Sequence, residues 1–332
     1  MIVVMQTGAS PSATDEVVRQ IEAGGLGAHV FRGSERNVIA VLGTGDVARL
    51  QEALGLLDGV ERVEGTVRPF QLASRDVLPG GTSFQIGGQI GGARLGGGLL
   101  AVVGSSRPRP AGELVQLAAD AKAAGADVFW AGRGDSGELR RDLIGALDEI
   151  KDAVGLPVLV DVWDPSEVDR LSRHADALHI RGQQMQDVPL IRAAGAGDRP
   201  VVVGRGQAAT IEEWLMAAER VLREGNRSVA LCEQGIRTFE TSVPAVLDFN
   251  AIALAHRLSH LPVVANPSLT AIDAEIVPEL ALAAAAAKAD GIILDAHSGD
   301  SDDPSAGRQA LPIAAVAALL ARLKQTRAAV GV

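Results

Sequence analysis

The sequence predicts an α/β protein, a (β/α)8 barrel of the TIM type with a small α+β domain in front. Three observations predict it. From Leu99 onward, short Val/Ile/Leu-rich runs alternate eight times with stretches of helical periodicity, as expected for parallel strands buried on both faces. Ahead of them, residues 1–67 read strand, helix, strand, strand, helix, strand. The chain of 332 residues has room for one barrel of ~250 residues and one small extra domain.

In the front domain, Met1–Gln6 reads as a strand, and Thr14–Ala23 as a helix with Val17, Val18 and Ile21 at helical spacing. Ala28–Arg32 and Asn37–Leu42 pair as a hairpin across Gly33-Ser34-Glu35. Val47–Leu57 is a second helix and Val60–Val67 the last strand. This βαββαβ order is ferredoxin-like. Residues 68–98 follow as a linker with Pro69 and Pro79 and the glycine-rich stretch Gly87 to Gly98. A phosphate-cradling P-loop would need Gly-Lys-Ser/Thr leading into a helix, which is lacking here. A β-hairpin covering the barrel floor is the simpler reading.

The barrel, residues 99–332, has its strands at Leu99–Ser105, Asp127–Gly132, Pro157–Trp163, Ala177–Gly182, Pro200–Arg205, Val229–Gln234, Pro262–Ser268 and Gly291–His297. Helices such as Glu113–Ala124, Ile211–Glu224, Val277–Lys288 and Ile313–Thr326 lie between or after them.

Composition narrows the function. There are 41 Asp+Glu against 31 Lys+Arg, a formal charge of -10, and no Lys/Arg run, so a nucleic-acid partner is not expected. One cysteine, Cys232, excludes an internal disulfide framework and a Cys-based zinc cluster. The apolar start, Met1 to Met5, lacks the basic flank and length of a signal peptide. The longest apolar stretch, Leu280 to Ala287, is far too short to span a bilayer. A soluble, cytoplasmic protein without a membrane partner is expected.

Chemistry in such barrels sits at the carboxyl ends of the strands. Those ends carry Ser105-Ser106-Arg107, Trp130 with Arg133, Asp161 with Trp163, Gln183-Gln184, Arg205, Glu233-Gln234, Asn266 with Ser268, and Asp295 with His297. Period-two alternation puts Asp161 and Trp163 on one face, and Asp295 and His297 on another. Each has a plainer role available. Trp130 and Trp163 could pack, and Arg205 could be the structural partner of Glu233. Asp295 and His297 alone make a poor metal site. His29, His174, His179, His256 and His260 are scattered and read as structural, and Cys232 as a small packed residue.

Several strings resemble the 3-deoxy-arabino-heptulosonate-7-phosphate (DAHP) synthases that carry an N-terminal ferredoxin-like domain, a family of aromatic amino-acid biosynthesis. They are Phe70-Gln71-Leu72-Ala73-Ser74-Arg75, Met185-Gln186, Ala209-Thr210-Ile211-Glu212-Glu213-Trp214-Leu215, Cys232-Glu233-Gln234-Gly235-Ile236-Arg237-Thr238-Phe239-Glu240-Thr241 and Ser259-His260-Leu261-Pro262-Val263, in a consistent order along the chain. The resemblance implies a transferase that joins phosphoenolpyruvate to erythrose 4-phosphate, with a divalent metal polarising the aldehyde. It implies metal ligands Cys, His, Glu and Asp at four strand ends. Here the cysteine's position falls on Ser106, the histidine's on Leu269, the glutamate's on Asp295 and the aspartate's on Ala306. The family's phosphate-binding cations fall on Trp130, Gln183, Gly204 and Gln234, with Arg205 kept, and its Lys-Pro-Arg-Thr-Ser loop gives way to Arg133-Gly134-Asp135-Ser136-Gly137. The family's feedback site has a histidine, matched by His29, and a serine, whose place Phe31 takes.

The expectation is therefore a DAHP synthase homologue that has lost metal-dependent condensation and needs no cofactor. It would work as a metal-free enzyme on a small, carboxylate-bearing metabolite, with specialised metabolism as one setting. Asp161, Asp295 and His297 would be catalytic. Arg205, Glu233, Gln234, Gln183, Trp130 and Ser106 would bind the small-molecule ligand at the barrel mouth. The alternatives are a non-catalytic pseudoenzyme that binds a metabolite or a genuine synthase, and a residual DAHP synthase. A homo-oligomer is expected, as in the family.

Overall fold

The computed structural model describes residues 1–33, 36–43, 47–64, 69–88, 92–133, 142–299 and 307–331. The chain forms two compact units: Met1–Gly81 with Arg257–His260, and Thr82–His256 with Leu261–Val332.

In the first unit the elements are β1 (Ile2–Met5), α1 (Pro11–Ala23), β2 (Gly27–Arg32), β3 (Asn37–Leu42), α2 (Val47–Gly55) and β4 (Val60–Glu64). The antiparallel sheet has the order β2-β3-β1-β4, the expected ferredoxin-like arrangement. One sheet face and the helices bury Val3, Met5, Val17, Ile21, Ile39, Val41 and Leu54 together. Helix α1 starts three residues ahead of the reading from apolar spacing. Ser10 caps it, accepting from the Ala13 N–H at 3.2 Å, and Pro11 holds the first helical position, where its missing N–H costs nothing. The expected hairpin turn at Ser34-Glu35 and the last part of the expected strand, residues 65–67, lie outside the described residues.

The expected linker divides between the units. Phe70, Leu72, Ala73 and Val77 are buried. Ser74 bridges Ser259, the Arg75 N–H donates to Leu258 O at 2.9 Å, and the His260 ring nitrogen Nε2 lies 2.6 Å from Leu72 O. The segment up to Gly81 thus packs with the front domain rather than linking freely.

The second unit opens with the expected hairpin, β5 (Phe84–Ile86) and β6 (Ala93–Leu95). Ile86 and Leu95 pack against Leu100, Val102, Val128, Leu159, Val202, Val264 and Ile293, so the hairpin closes the amino-terminal end of the barrel. The barrel then runs β7 (Leu100–Ser105), α3 (Ala111–Ala123), β8 (Val128–Ala131), α4 (Leu143–Glu149), β9 (Val158–Val162), α5 (Pro165–His174), β10 (Ala177–Ile180), α6 (Val188–Gly195), β11 (Val201–Gly204), α7 (Ile211–Arg223), β12 (Val229–Glu233), α8 (Phe249–Leu258), β13 (Val263–Ala265), α9 (Val277–Ala286), β14 (Gly291–His297), β15 (Leu311–Pro312) and α10 (Ile313–Ala329). Strands β7 to β14 pair in parallel in chain order, and β14 closes on β7 from Gly291↔Leu100 to Asp295↔Gly104. That is the closed eight-stranded barrel. The two-residue β15, absent from the sequence reading, extends the top of β14.

Alternate strand residues fill the lumen: Leu100, Val102, Val128, Trp130, Leu159, Ala177, Val202, Ala230, Cys232, Val264 and Ile293 form one buried cluster. The next inward positions along β9, β10 and β14 are Asp161, His179 and Asp295. The apolar plug therefore ends in a polar layer at the carboxyl end.

Candidate active site

Asp161 is at the centre of this layer and is fully buried. Its Oδ1 accepts from Trp130 Nε1 at 2.9 Å and from His179 Nδ1 at 2.8 Å. Its Oδ2 accepts from the Arg133 N–H at 3.2 Å and has the Arg181 guanidinium at 3.7 Å. Burial alone would push this carboxyl up, but contact with His179 outweighs it, helped by Arg181 and Trp130, and the pKa ends below the usual carboxylate range. Asp161 is a carboxylate held in place by four neighbours.

The other imidazole nitrogen, His179 Nε2, lies 2.6 Å from Gln234 Nε2. The carboxamide's oxygen accepts the Gly182 N–H at 3.3 Å, which turns its NH2 group toward the ring. Gly204 makes room for it: a Cβ there would lie 2.4 Å from Gln234 Nε2. Gln234, His179, Asp161 and Trp130 thus form one continuous hydrogen-bonded chain across four strand ends. His179 had read as a scattered structural histidine. The signal that could have found it is the same period-two alternation that selected Asp161, counted from Ala177.

A second cluster surrounds Asp295, also fully buried. Its Oδ1 accepts from the Ser106 N–H at 3.0 Å, and its Oδ2 from the Ser106 hydroxyl. Its own N–H donates to Ser268 Oγ at 2.9 Å. Burial pushes the Asp295 carboxyl up to about 6, against the pull of the Ser106 bonds and of Arg109 and Arg107. His297, two residues on, is buried with Nδ1 at 2.9 Å from Gly299 O. Near it on β13's end, the buried Asn266 Nδ2 has no hydrogen-bond partner among the described residues, and at other strand ends neither do Trp163 Nε1 and Gln184 Oε1. Buried polar atoms are nearly always bonded, so these three mark the mouth as a place for polar ligand atoms.

A third cluster contains Arg205, which donates to Glu233 at 3.0 Å, Asp248 at 2.9 Å and Ala209 O at 3.0 Å. Burial raises the Glu233 pKa, and the Arg205 guanidinium offsets only part of that. Arg205 is thus supplied with two carboxylates of its own, the plainer of the two roles its sequence position allowed. Cys232 is buried and its thiol is pushed far up by desolvation, in keeping with a packing role. Gln183 stands apart: it is exposed on the turn after β10. The segment 134–141, which includes most of the shortened loop, and Ala306 lie outside the described residues.

A TIM-type barrel with a ferredoxin-like front domain and its polar layer at the carboxyl mouth defines the class. The particular family follows from sequence. Residues 127–331 match the DAHP synthetase I family, and residues 1–65 the DAHP synthase ferredoxin-like domain. The chain belongs to the DAHP synthase family. It is 29% identical to the phospho-2-dehydro-3-deoxyheptonate aldolase of Thermotoga maritima, over 100% of this chain and 99% of that protein. A crystal structure of that aldolase superposes with a TM-score of 0.74 at 29% identity, covering 100% of this chain and 97% of the other. The 2-dehydro-3-deoxyphosphooctonate aldolase of Desulfatibacillum aliphaticivorans is also 29% identical, over 56% of this chain and 71% of its own.

At the described positions that the resemblance assigns to a divalent ion, the ligand set is reduced. Leu269 offers no lone pair, and the Ser106 hydroxyl and Asp295 carboxyl are bonded to each other. Among the described residues, no three His, Cys, Asp or Glu side chains come together as a metal-binding group. No helix of the described residues is long and apolar enough to cross a membrane.

Proposed function

We propose that this DAHP synthase homologue is a metal-independent enzyme doing acid–base work at its barrel mouth, on a small polar molecule carrying at most one carboxylate. The observation that carries this reading is the charge balance of the strand ends. Positions matching family cations hold Trp130, Gln183, Gly204 and Gln234, and three of the arginines at the strand ends have carboxylates beside them. Arg205 faces Glu233 and Asp248, Arg133 faces Glu167, and Arg181 faces Asp161. Two phosphate-bearing substrates would find fewer cationic forks here than the family pattern supplies, Arg107 being the exposed one at the end of β7. Two proton-handling groups stand in their place: the Asp161–His179 pair, and Asp295 with its raised pKa beside Ser106. A carboxyl raised to about 6, as in Asp295, is suited to general acid–base catalysis.

The relatives' names describe condensing aldolases, so the test is direct. Purified full-length chain is incubated with phosphoenolpyruvate and erythrose 4-phosphate, with Mn, Co or Zn added and with chelator. No phosphate release above background is expected under any condition. Metal-dependent turnover in the ordinary enzyme range, ~1–10³ s⁻¹, would overturn the reading and restore the working synthase. The pseudoenzyme is favoured by one feature, the number of protein contacts that Asp161 accepts. It would gain if no small molecule stabilised the fold in a thermal-shift panel of hydroxy acids and oxo acids while a genuine synthase bound tightly. We further propose a homo-oligomer, for which light scattering would give a mass above the 34.3 kDa of one chain.

A further inference from the structure

We propose that His179 is the proton acceptor of this barrel, with Asp161 as its positioning partner and Gln234 standing where a substrate's O–H or N–H group would sit. The inference deepens the metal-free reading above by naming the group that takes the proton and the chemistry of what gives it.

The tautomer follows from the bonds around the ring. Gln234 is oriented by the Gly182 N–H, which binds its oxygen, so a carboxamide N–H points at His179 Nε2 across 2.6 Å. Two donors cannot face each other at hydrogen-bonding distance, so Nε2 is the acceptor and carries a lone pair. The ring proton is then on Nδ1 and donates to Asp161 Oδ1 at 2.8 Å. A neutral imidazole with a carboxylate behind it and an unprotonated Nε2 in front, here capped by the Gln234 amide in a fully buried setting, becomes a general base once a substrate group takes the amide's place. The charged or titratable groups around it are Asp161 from β9, Arg181 beyond its own strand and Cys232 from β12, and the Trp130 indole from β8 packs edge-on at 6.3 Å. Asp161 touches both the ring and Arg181, so a positive charge formed on the ring shares that one carboxylate with the guanidinium.

What Nε2 faces defines the ligand. Gln234 is a neutral donor, admitted because residue 204 is glycine. The site therefore favours a small molecule whose hydroxyl or amide N–H replaces the Gln234 amide, and disfavours a phosphate, whose oxygens would meet a lone pair. In the step proposed, the substrate O–H bond breaks, its proton goes to His179 Nε2, and the electron pair stays on the substrate oxygen. The imidazolium so formed is held by Asp161.

Two measurements on the full-length chain test this. Long-range ¹H–¹⁵N correlation spectra of the labelled protein should show one histidine with protonated Nδ1 and bare Nε2 at neutral pH, its signals lost in His179→Phe. An Nε2–H tautomer, or an imidazolium at neutral pH with the Gln234 amide reversed, would overturn the proposal. In Gln234→Ala, acetamide used as the probe should bind saturably and shift the His179 Nε2 resonance, and more tightly than in the wild type, where it must displace the Gln234 amide. Binding no tighter to Gln234→Ala than to the wild type, or binding to neither, would also overturn it. Should Gln234→Ala fold poorly, Gln234→Met keeps the bulk and removes the donor; its expected signature is a shift at Nε2 with Nδ1 still protonated, and an unchanged Nε2 would refute the contact. Metal-dependent condensation by the wild type would sink the metal-free reading without moving these ring signals, so the two failures are distinguishable.

Discussion

At the floor of the barrel, Asp127, Asp176 and Asp290 each sit one residue ahead of a strand. Each accepts a backbone N–H of the strand before, from Ala101, Val158 and Val263, at 2.8, 2.9 and 2.8 Å. Their own N–H groups return bonds to the same three residues, at 2.8, 2.9 and 2.7 Å. At the mouth, Asp161 and Asp295 lie on the strands themselves and face the lumen, where most of their partners are side chains: His179, Trp130 and Ser106. One residue type thus does two jobs, set by which end of a strand it occupies. The floor aspartates satisfy strand-end amides and lock the parallel register. At the mouth, Asp161 is a carboxylate that accepts from an imidazole, and Asp295 has its pKa raised by burial.

The comparison breaks first at Arg205, a mouth cation set between two carboxylates. Arg205→Ala leaves Glu233, itself fully buried, without its counter-charge, at a cost of about 3–5 kcal/mol. A matching drop in the denaturation midpoint is expected by chemical unfolding. An unchanged midpoint with lost ligand binding would instead make Arg205 a ligand anchor.

A somewhat smaller effect separates the two ends by pH. Asp295 has its folded-state pKa raised to about 6, from the ordinary value of about 3.9. A raised carboxyl binds its proton more tightly in the folded state. Its contribution is therefore fully present below about pH 4 and is lost as the pH rises through about 6. Roughly two pKa units correspond to about 3 kcal/mol. Asp295→Asn, compared with wild type by denaturant titration between about pH 4 and pH 7, should remove that decline and be the more stable protein at neutral pH. A wild type that gains stability over this window relative to the variant would contradict the assignment.

The floor offers the smallest effect and the control. Asp176→Ala leaves the Val158 N–H without its side-chain acceptor, a loss of about 1–3 kcal/mol. It should leave the His179 ring signals unmoved. A change in the tautomer on cutting a floor aspartate would mean that the two ends are coupled.

Much of this was legible in the sequence, for physical reasons. Strands buried on both faces must be apolar, so β7 to β14 stand out as Val/Ile/Leu runs, each expected within a few residues of where it forms. Strand-end positions placed Asp161, Asp295 and Trp130 at the mouth, and period-two alternation put Asp161 with Trp163 and Asp295 with His297. It would have placed His179 too, had the histidines been counted from the lumen-facing residue before them. What was hidden depends on contacts distant along the chain. Asp248, which shares Arg205 with Glu233, lies 43 residues from it. The packing of Phe70–Arg75 relies on residues 257–260, so that segment looked like linker. The start of α1 was missed because its signal is a Ser-Pro cap, not an apolar period.

The central claim is that the mouth has exchanged phosphate and metal ligands for a self-contained acid–base network. Calorimetric titration of phosphoenolpyruvate into the full-length chain with Mn²⁺ present tests it most directly. The account predicts no saturable heat at millimolar phosphoenolpyruvate, with or without the ion. Stoichiometric binding that needs Mn²⁺ and disappears in Asp295→Asn would contradict it.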